Sequence, residues 1–371
     1  MLKKIVVVLS LLVAFNANAD TRWSAGDMDL SFTNIFFKTA FEDKKDNFVV
    51  SPLSVYVATV LLVNGADGRT RDEFDKILTL RDWRGNEIDI DTTNRKISEY
   101  MKQKKDSIQI TSTIIGNDFK QEYENKVQNE LFVEIKHKLN DDKLTLRNEV
   151  DFNDEWKNHF EDDLTKIKDF NSLDGTIDKV DMMHDSRRIV DYYQDDKMQA
   201  VQLPYKNGDV MHIFLPREGI DFNEFVQNMT ANDLFLKYHP VPVDISIPRF
   251  EIKYDNEDMI SYYRKWGINK IFGENADLSK LSDVRHYVEM ITHKADIKTT
   301  EKGTEAHAVT EIMLPPEGFM DSGLERKDWK MIFNANRPFI FMINNGDFIG
   351  AYIKGKRFEV ERKSDSELDA E

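Results

Sequence analysis

The chain has no cysteine among its 371 residues, so no disulfide can brace it and no thiol can act as nucleophile or metal ligand. Glycine (16) and proline (9) are sparse and form no periodic or low-complexity run, which excludes collagen-like and linker-like architectures. Long apolar runs are also missing. The one notable run, residues 5–15, is shorter than the roughly 20 residues a bilayer-spanning helix needs. Positive charge is short as well: 51 Lys and Arg face 67 Asp and Glu, a net of −16 that argues against nucleic acid and anionic membranes as partners. No GxSxG, HExxH or P-loop occurs, and the histidines, among them His159, His212 and His286, show no metal-ligand spacing. The sequence therefore nominates no catalytic residue, metal or cofactor, and the chain does not read as an enzyme.

What is present begins with a targeting signal. Lys3 and Lys4 precede the apolar run, and Ala17 and Ala19 complete an A-x-A site, so residues 1–19 read as a signal peptide and the protein as secreted and extracellular. Without that segment the charge becomes 49 against 67, a net of −18. At 40% hydrophobic and 11% aromatic, the remainder can build a large core without disulfides. Nothing marks a boundary between residues 20 and 357, whereas 358–371 is a charged tail that reads as flexible. Asn228-Met229-Thr230 is a glycosylation sequon. Lys102, Lys104 and Lys105 on one predicted helix read as a solvated face, so a heparin-like polyanion is not expected to bind.

Periodicity predicts helices over 28–42, 52–64, 70–79, 92–105 and 119–131, the second opened by Ser51 and Pro52 and closed by Asn64-Gly65. Period-two alternation predicts strands over 108–114, 133–139, 144–152 and 291–299, followed by 199–203, 210–215, 243–252, 338–343 and 348–353. Helices mostly first and strands mostly later indicate an α+β domain.

Four ordered stretches then resemble the serpin family. They are Asn47 to Ser54 (NFVVSPLS) with Asn64 to Thr70 (NGADGRT), Leu144 to Asn148 (LTLRN) through Phe152, Trp156 and Phe160, His293-Lys294-Ala295 with Glu301 to Ala306 (EKGTEA), and Phe333 to Phe339 (FNANRPF). Leu203-Pro204-Tyr205, Ile247-Pro248-Arg249-Phe250 and Trp266-Gly267-Ile268 support them. The resemblance implies one domain over residues 20–357 with a large central sheet, two further sheets, about eight helices and an exposed reactive loop at about 301–332. It also implies a monomeric inhibitor of an extracellular serine protease: cleavage of the loop traps the acyl-enzyme while the loop inserts into the central sheet. The alternative is a non-inhibitory member serving as carrier, binding protein or protease decoy. On family positions, Ser51, Ser54, Asn148 and His293 form the polar cluster where the sheet opens, and Trp156 stands where the loop first enters.

The hinge implied by the resemblance runs from Glu301 through Gly303 and Thr304 to Ala306, Ala308 and Thr310, small residues that alternate with Glu305, His307 and Glu311. Small side chains at every second position suit a strand entering a packed sheet. The scissile bond has two candidates. Counting from Glu301 gives Glu317-Gly318, whereas counting back from Phe339 points to Arg326 and Lys327, because the loop is longer than the family's usual one. One element is missing. Between the strands at 133–139 and 144–152 the family places a helix across the front of the sheet, but here only Asn140, Asp141, Asp142 and Lys143 intervene. The faces carrying Glu134, Lys136, Arg147, Glu149, Asp151, Lys294 and Asp296 are accordingly polar, as an uncovered sheet requires.

Overall fold

A computed structural model of the chain describes residues 30–42, 46–75, 77–78, 89–138, 143–305 and 331–358. Helix α1 (Leu30–Glu42) is followed by strand β1 (Phe48–Val50), α2 (Pro52–Gly65) and α3 (Gly68–Phe74). Then come α4 (Ile90–Lys104), β2 (Ile108–Gly116), α5 (Gln121–Leu131), β3 (Glu134–His137) and β4 (Lys143–Phe152). The next strands are β5 (Asp154–Glu155), β6 (Lys166–Asn171), β7 (Ile177–Gln194), β8 (Met198–Pro204) and β9 (Val210–Pro216). They lead to α6 (Phe222–Asn228), β10 (His239–Pro248), β11 (Phe250–Asn256), α7 (Met259–Lys265), β12 (Tyr287–Thr299) and β13 (Gly303–Glu305). Strands β14 (Met331–Asn334), β15 (Phe339–Ile343) and β16 (Phe348–Tyr352) close the fold.

Helix α2 organises the core. Its cap is the predicted one: the Ser51 side chain accepts from the Ser54 N–H at 3.1 Å, and Pro52 sits where no intrahelical donor is needed. Every residue of α2 is buried, as expected of an apolar helix enclosed on all sides. Gly65 ends it against Leu281, where an added Cβ would lie 2.8 Å from the Leu281 Cβ. Phe32, Phe36 and Phe37 of α1 complete the layer, with the Phe36 ring 5.5 Å from that of Trp266. The helix expected over 70–79 stops at Phe74, with Asp75 as its cap.

Two sheets flank this layer among the described residues. One has nine strands in the order β1-β16-β15-β9-β8-β7-β10-β14, with β6 on β7. The 18-residue β7 carries it from the β8 side to the β10 side and so joins the two further sheets into one curled run. The central sheet has seven strands, β3-β2-β4-β12-β13-β5, with β11 on β12. Residues 138–142, between β3 and β4, are too few for a helix with linkers. Along β4 the even positions are buried, while Arg147 and Glu149 are exposed, and Lys294 of β12 is exposed beside them. The outward face of the sheet is therefore uncovered at these positions, as the alternation predicts.

Candidate functional site

The middle of the central sheet is a parallel joint. β4 and β12 pair from Tyr287↔Lys143 to Ala295↔Val150, with one irregularity between Val288 and Met290. Beneath it the predicted polar cluster assembles. His293, fully buried, accepts the Ser51 N–H on Nε2 at 3.1 Å. Its Nδ1 must therefore carry the proton, which it donates to Asn148 Oδ1 at 2.8 Å. Ser54 Oγ donates to the same oxygen at 2.7 Å, and Asn148 Nδ2 donates to Ser54 O and to Ser112 Oγ. Burial pushes the His293 pKa down to about 3, so the ring is neutral. The cluster thus ties α2, β2, β4 and β12 together at the seam. Ser112, on the predicted strand 108–114, belongs to it as well, although none of the family motifs includes it.

At one end the seam is already entered. β13 is wedged between β12 and β5, with Thr304↔Thr299 and Glu305↔Lys298 on one side and Thr304↔Asp154 and Gly303↔Glu155 on the other. Both pairings are antiparallel. Gly303 passes so close that a Cβ would lie 2.3 Å from the Asp154 carbonyl oxygen. Thr304, fully buried, places its hydroxyl 2.7 Å from the Tyr205 OH and 3.2 Å from the Thr299 hydroxyl. Trp156 stacks on Tyr205 at 4.3 Å and donates its Nε1–H to the Thr300 carbonyl at 2.8 Å. Glu301 is anchored by both carboxylate oxygens on Arg249 Nε at 2.6 Å, with Thr165 as a further donor. Tyr205 and Arg249 stand in supporting motifs of the sequence, yet nothing there reveals that they hold Thr304 and Glu301.

The remaining candidates divide. Ala306, Ala308, Thr310, Glu317, Gly318, Arg326 and Lys327 lie outside the described residues, as do the signal segment 1–19 and tail residues 359–371. Asn228 is exposed at the end of α6, and Thr230 donates its hydroxyl to Asp233 at 2.6 Å. The basic cluster on α4 is split: Lys104 turns inward onto Asp209, while Lys102 lies over the Phe132 ring. His159 lies exposed near Glu155, whereas His212 is buried and pushed down to about 4 by desolvation.

Comparison with known proteins agrees with this geometry. A family model described as Serpin (serine protease inhibitor) matches residues 28–143 and 132–353. Iripin-2 of Ixodes ricinus is 31% identical over 208 residues, 54% of this chain and 50% of that protein. Serpin B7 of Homo sapiens is 31% identical over 56% of this chain and 53% of its own length. The chain thus spans about half the length of the curated relatives it matches. Among solved structures, the thermophilic serpin tengpin in its native state superposes with a TM-score of 0.72 at 25% identity, covering 88% of this chain and 93% of that one. Human thyroxine-binding globulin complexed with thyroxine superposes at 0.75 with 20% identity, covering 91% and 100%, which speaks for the fold alone. The chain belongs to the serpin family.

Proposed function

We propose that the protein is a secreted, monomeric inhibitor of an extracellular serine protease, acting by cleavage of its loop, retention of the acyl-enzyme and insertion of the loop between β4 and β12. The observation that carries this reading is the seam itself. β4 and β12 meet in parallel, and β13 already runs antiparallel to both β12 and β5 at one end. A loop continuing from β13 would replace one parallel joint by two antiparallel ones. Antiparallel pairs are somewhat more stable per residue, and a whole strand of hydrogen bonds is added. Small residues at Thr304, Ala306, Ala308 and Thr310 suit that path. The stored free energy is released only after cleavage frees the loop, which makes the uncleaved state kinetically held.

The bait is assigned to Glu317-Gly318. A cut at Arg326 would leave about 30 Å of extra slack at about 3.3 Å per strand residue, so the protease would deacylate unharmed. A panel of trypsin-, chymotrypsin-, elastase- and Glu-specific proteases tests both points. The expected result is an SDS-stable complex with the Glu-specific enzyme and simple cleavage by the trypsin-like one, each bond identified from the mass of the released C-terminal peptide. A stable complex from the Arg326 cut would overturn the assignment. Cleavage everywhere without complex, and without a rise in melting temperature, would overturn the inhibitor.

That last outcome is the second reading, a non-inhibitory serpin acting as carrier or decoy. It draws support from the uncovered sheet face around Arg147 and Glu149, because the family's covering helix also holds the uncleaved sheet closed.

A further inference from the structure

Next to the docked hinge, three buried carboxylates meet one half-buried cation. Asp209 accepts from Ser107 Oγ at 2.6 Å and from Asn344 Nδ2 at 2.9 Å, and it pairs with Lys104. The same Asn344 nitrogen donates to Asp347, so one amide bridges two carboxylates. Asp347 is fully buried, and its other donor is the Tyr100 hydroxyl at 2.7 Å. Asp154, buried on β5, accepts the Asn207 N–H at 3.3 Å and lies within the field of Asp209 and Lys104.

The facing groups come from every side. α4 contributes Tyr100 and Lys104, the turn after it Ser107, the β8–β9 connection Tyr205, Asn207 and Asp209, and the β15–β16 turn Asn344 and Asp347. Glu155 and Lys206, beside Asp154 and Tyr205 in the chain, pair with each other at the surface. With all three carboxylates ionised against Lys104, the cluster would hold a net charge of about −2 in a largely buried setting, an arrangement that a bound proton relieves.

We propose that Asp154, Asp209, Asp347 and Lys104 form a buried proton-binding site that holds β13 docked when loaded and loosens it when empty. Two contacts carry the coupling. Asp154 is the register partner of Thr304, so the strand that grips the hinge also bears one of the acids. Tyr205, whose hydroxyl meets Thr304, stands in the field of both Asp154 and Asp209. Burial raises the carboxyls of Asp154 and Asp347 to about 6. Undocking β13 opens Asp154 to water and returns it toward the ordinary value. Docking is therefore strongest below the usual carboxylate range of about 4 and weakens as pH rises through about 6. The inference concerns the docked strand and stands apart from whether the trap operates.

The test is amide hydrogen exchange of residues 303–305 in the full chain from about pH 4 to about pH 8, corrected with an unstructured peptide of the same sequence. The opening constant is expected to rise by up to about tenfold per pH unit between about 4 and about 6, then level off. Asp154→Asn, a stand-in for the protonated acid, should flatten the profile, and Asp209→Asn, which removes a neighbouring charge that helps to raise Asp154, should move its midpoint down, either result sufficing if the other variant fails to fold. Lys104→Met should move the midpoint upward, because the cation that lowers Asp154 is gone. A wild-type opening constant independent of pH, or a pH dependence unchanged in both Asn variants, overturns the proposal. No protease enters the measurement, so its failure is distinguishable from failure of the inhibitor reading.

Discussion

At Gly303 the demand on the sequence is space. A Cβ there would meet the Asp154 carbonyl oxygen at 2.3 Å and the Glu155 Cα at 2.7 Å, backbone atoms of β5 that cannot swing aside. Gly303→Ala is therefore expected to expel β13 from between β12 and β5 while leaving the rest of the fold intact. Faster amide exchange confined to residues 303–305, with unchanged exchange along β4 and β12, is the outcome that checks it; protection equal to that of the parent would refute it. The requirement for glycine was legible in the sequence as backbone freedom, but the cause is close approach. Tyr205 was less legible still. Its bond to Thr304 joins positions 99 residues apart, and its sequence neighbourhood, Leu203-Pro204-Tyr205, says nothing about the end of another sheet. Ser51, Ser54, Asn148 and His293 were legible only as a set on family positions, since each alone is an ordinary cap or core polar group.

Between elements, β4 and β12 meet at the seam that the proposed insertion has to part. Across it Lys143 reaches Glu289, and Lys294 feels Glu149, but these pairs lie at the surface, where each contributes little. The buried cluster matters more. Asn148 serves His293, Ser54 and Ser112, and since the Ser54 hydroxyl keeps the Ser51 carbonyl, its removal leaves His293 Nδ1–H and the Ser112 hydroxyl without these partners. Asn148→Ala is expected to lower stability by about 3 kcal/mol, at about 1–3 kcal/mol for each group left without a partner. It should also speed spontaneous opening of the sheet, read as faster exchange at positions 144–150 and 288–295. A loss below about 0.5 kcal/mol would mean that water takes over the amide's role and that the cluster does not hold the seam.

The periodic elements were readable because burial enforces their period: α2 is enclosed on all sides, and β4 shows one face to the core and the other to solvent. β7 escaped notice. Its adjacent Met182 and Met183 are both buried, so no clean alternation survives, and its extended form follows from pairing with β10, β6 and β8. α6 and α7, at seven residues each, are too short to print a pattern. The absence of the family's covering helix was the easiest feature to read, because the four residues 140–143 leave no room for it.

At the scale of the whole molecule, the buried titratable groups oppose one another. His293 and His212 are pushed down to about 3 and about 4 by desolvation. The unfolded chain binds their protons first, so their contribution to stability is present above about 6.5 and is lost as pH falls toward those values. Asp154 and Asp347 are raised to about 6, mainly by burial. For them the native chain holds the proton first, so stability is lost as pH rises from about 4 to about 6. In that window two groups pull each way, at about 1.4 kcal/mol per pH unit per proton, and the slopes cancel. Stability of the parent protein is therefore expected to be nearly flat between about pH 4 and about pH 6. The paired change Asp154→Asn with Asp347→Asn removes only one side of the balance. Its stability in urea should then fall with acid by up to about 2.8 kcal/mol per pH unit, the two histidines being unopposed. A parent protein that weakens steeply with acid in this window, or a double variant with the parent's slope, would show that the buried acids do not hold their protons. Below about pH 4 both proteins should weaken together, because carboxylates such as Asp46, Asp195 and Glu155, held below their usual range by hydrogen bonds and nearby lysines, are then protonated as well.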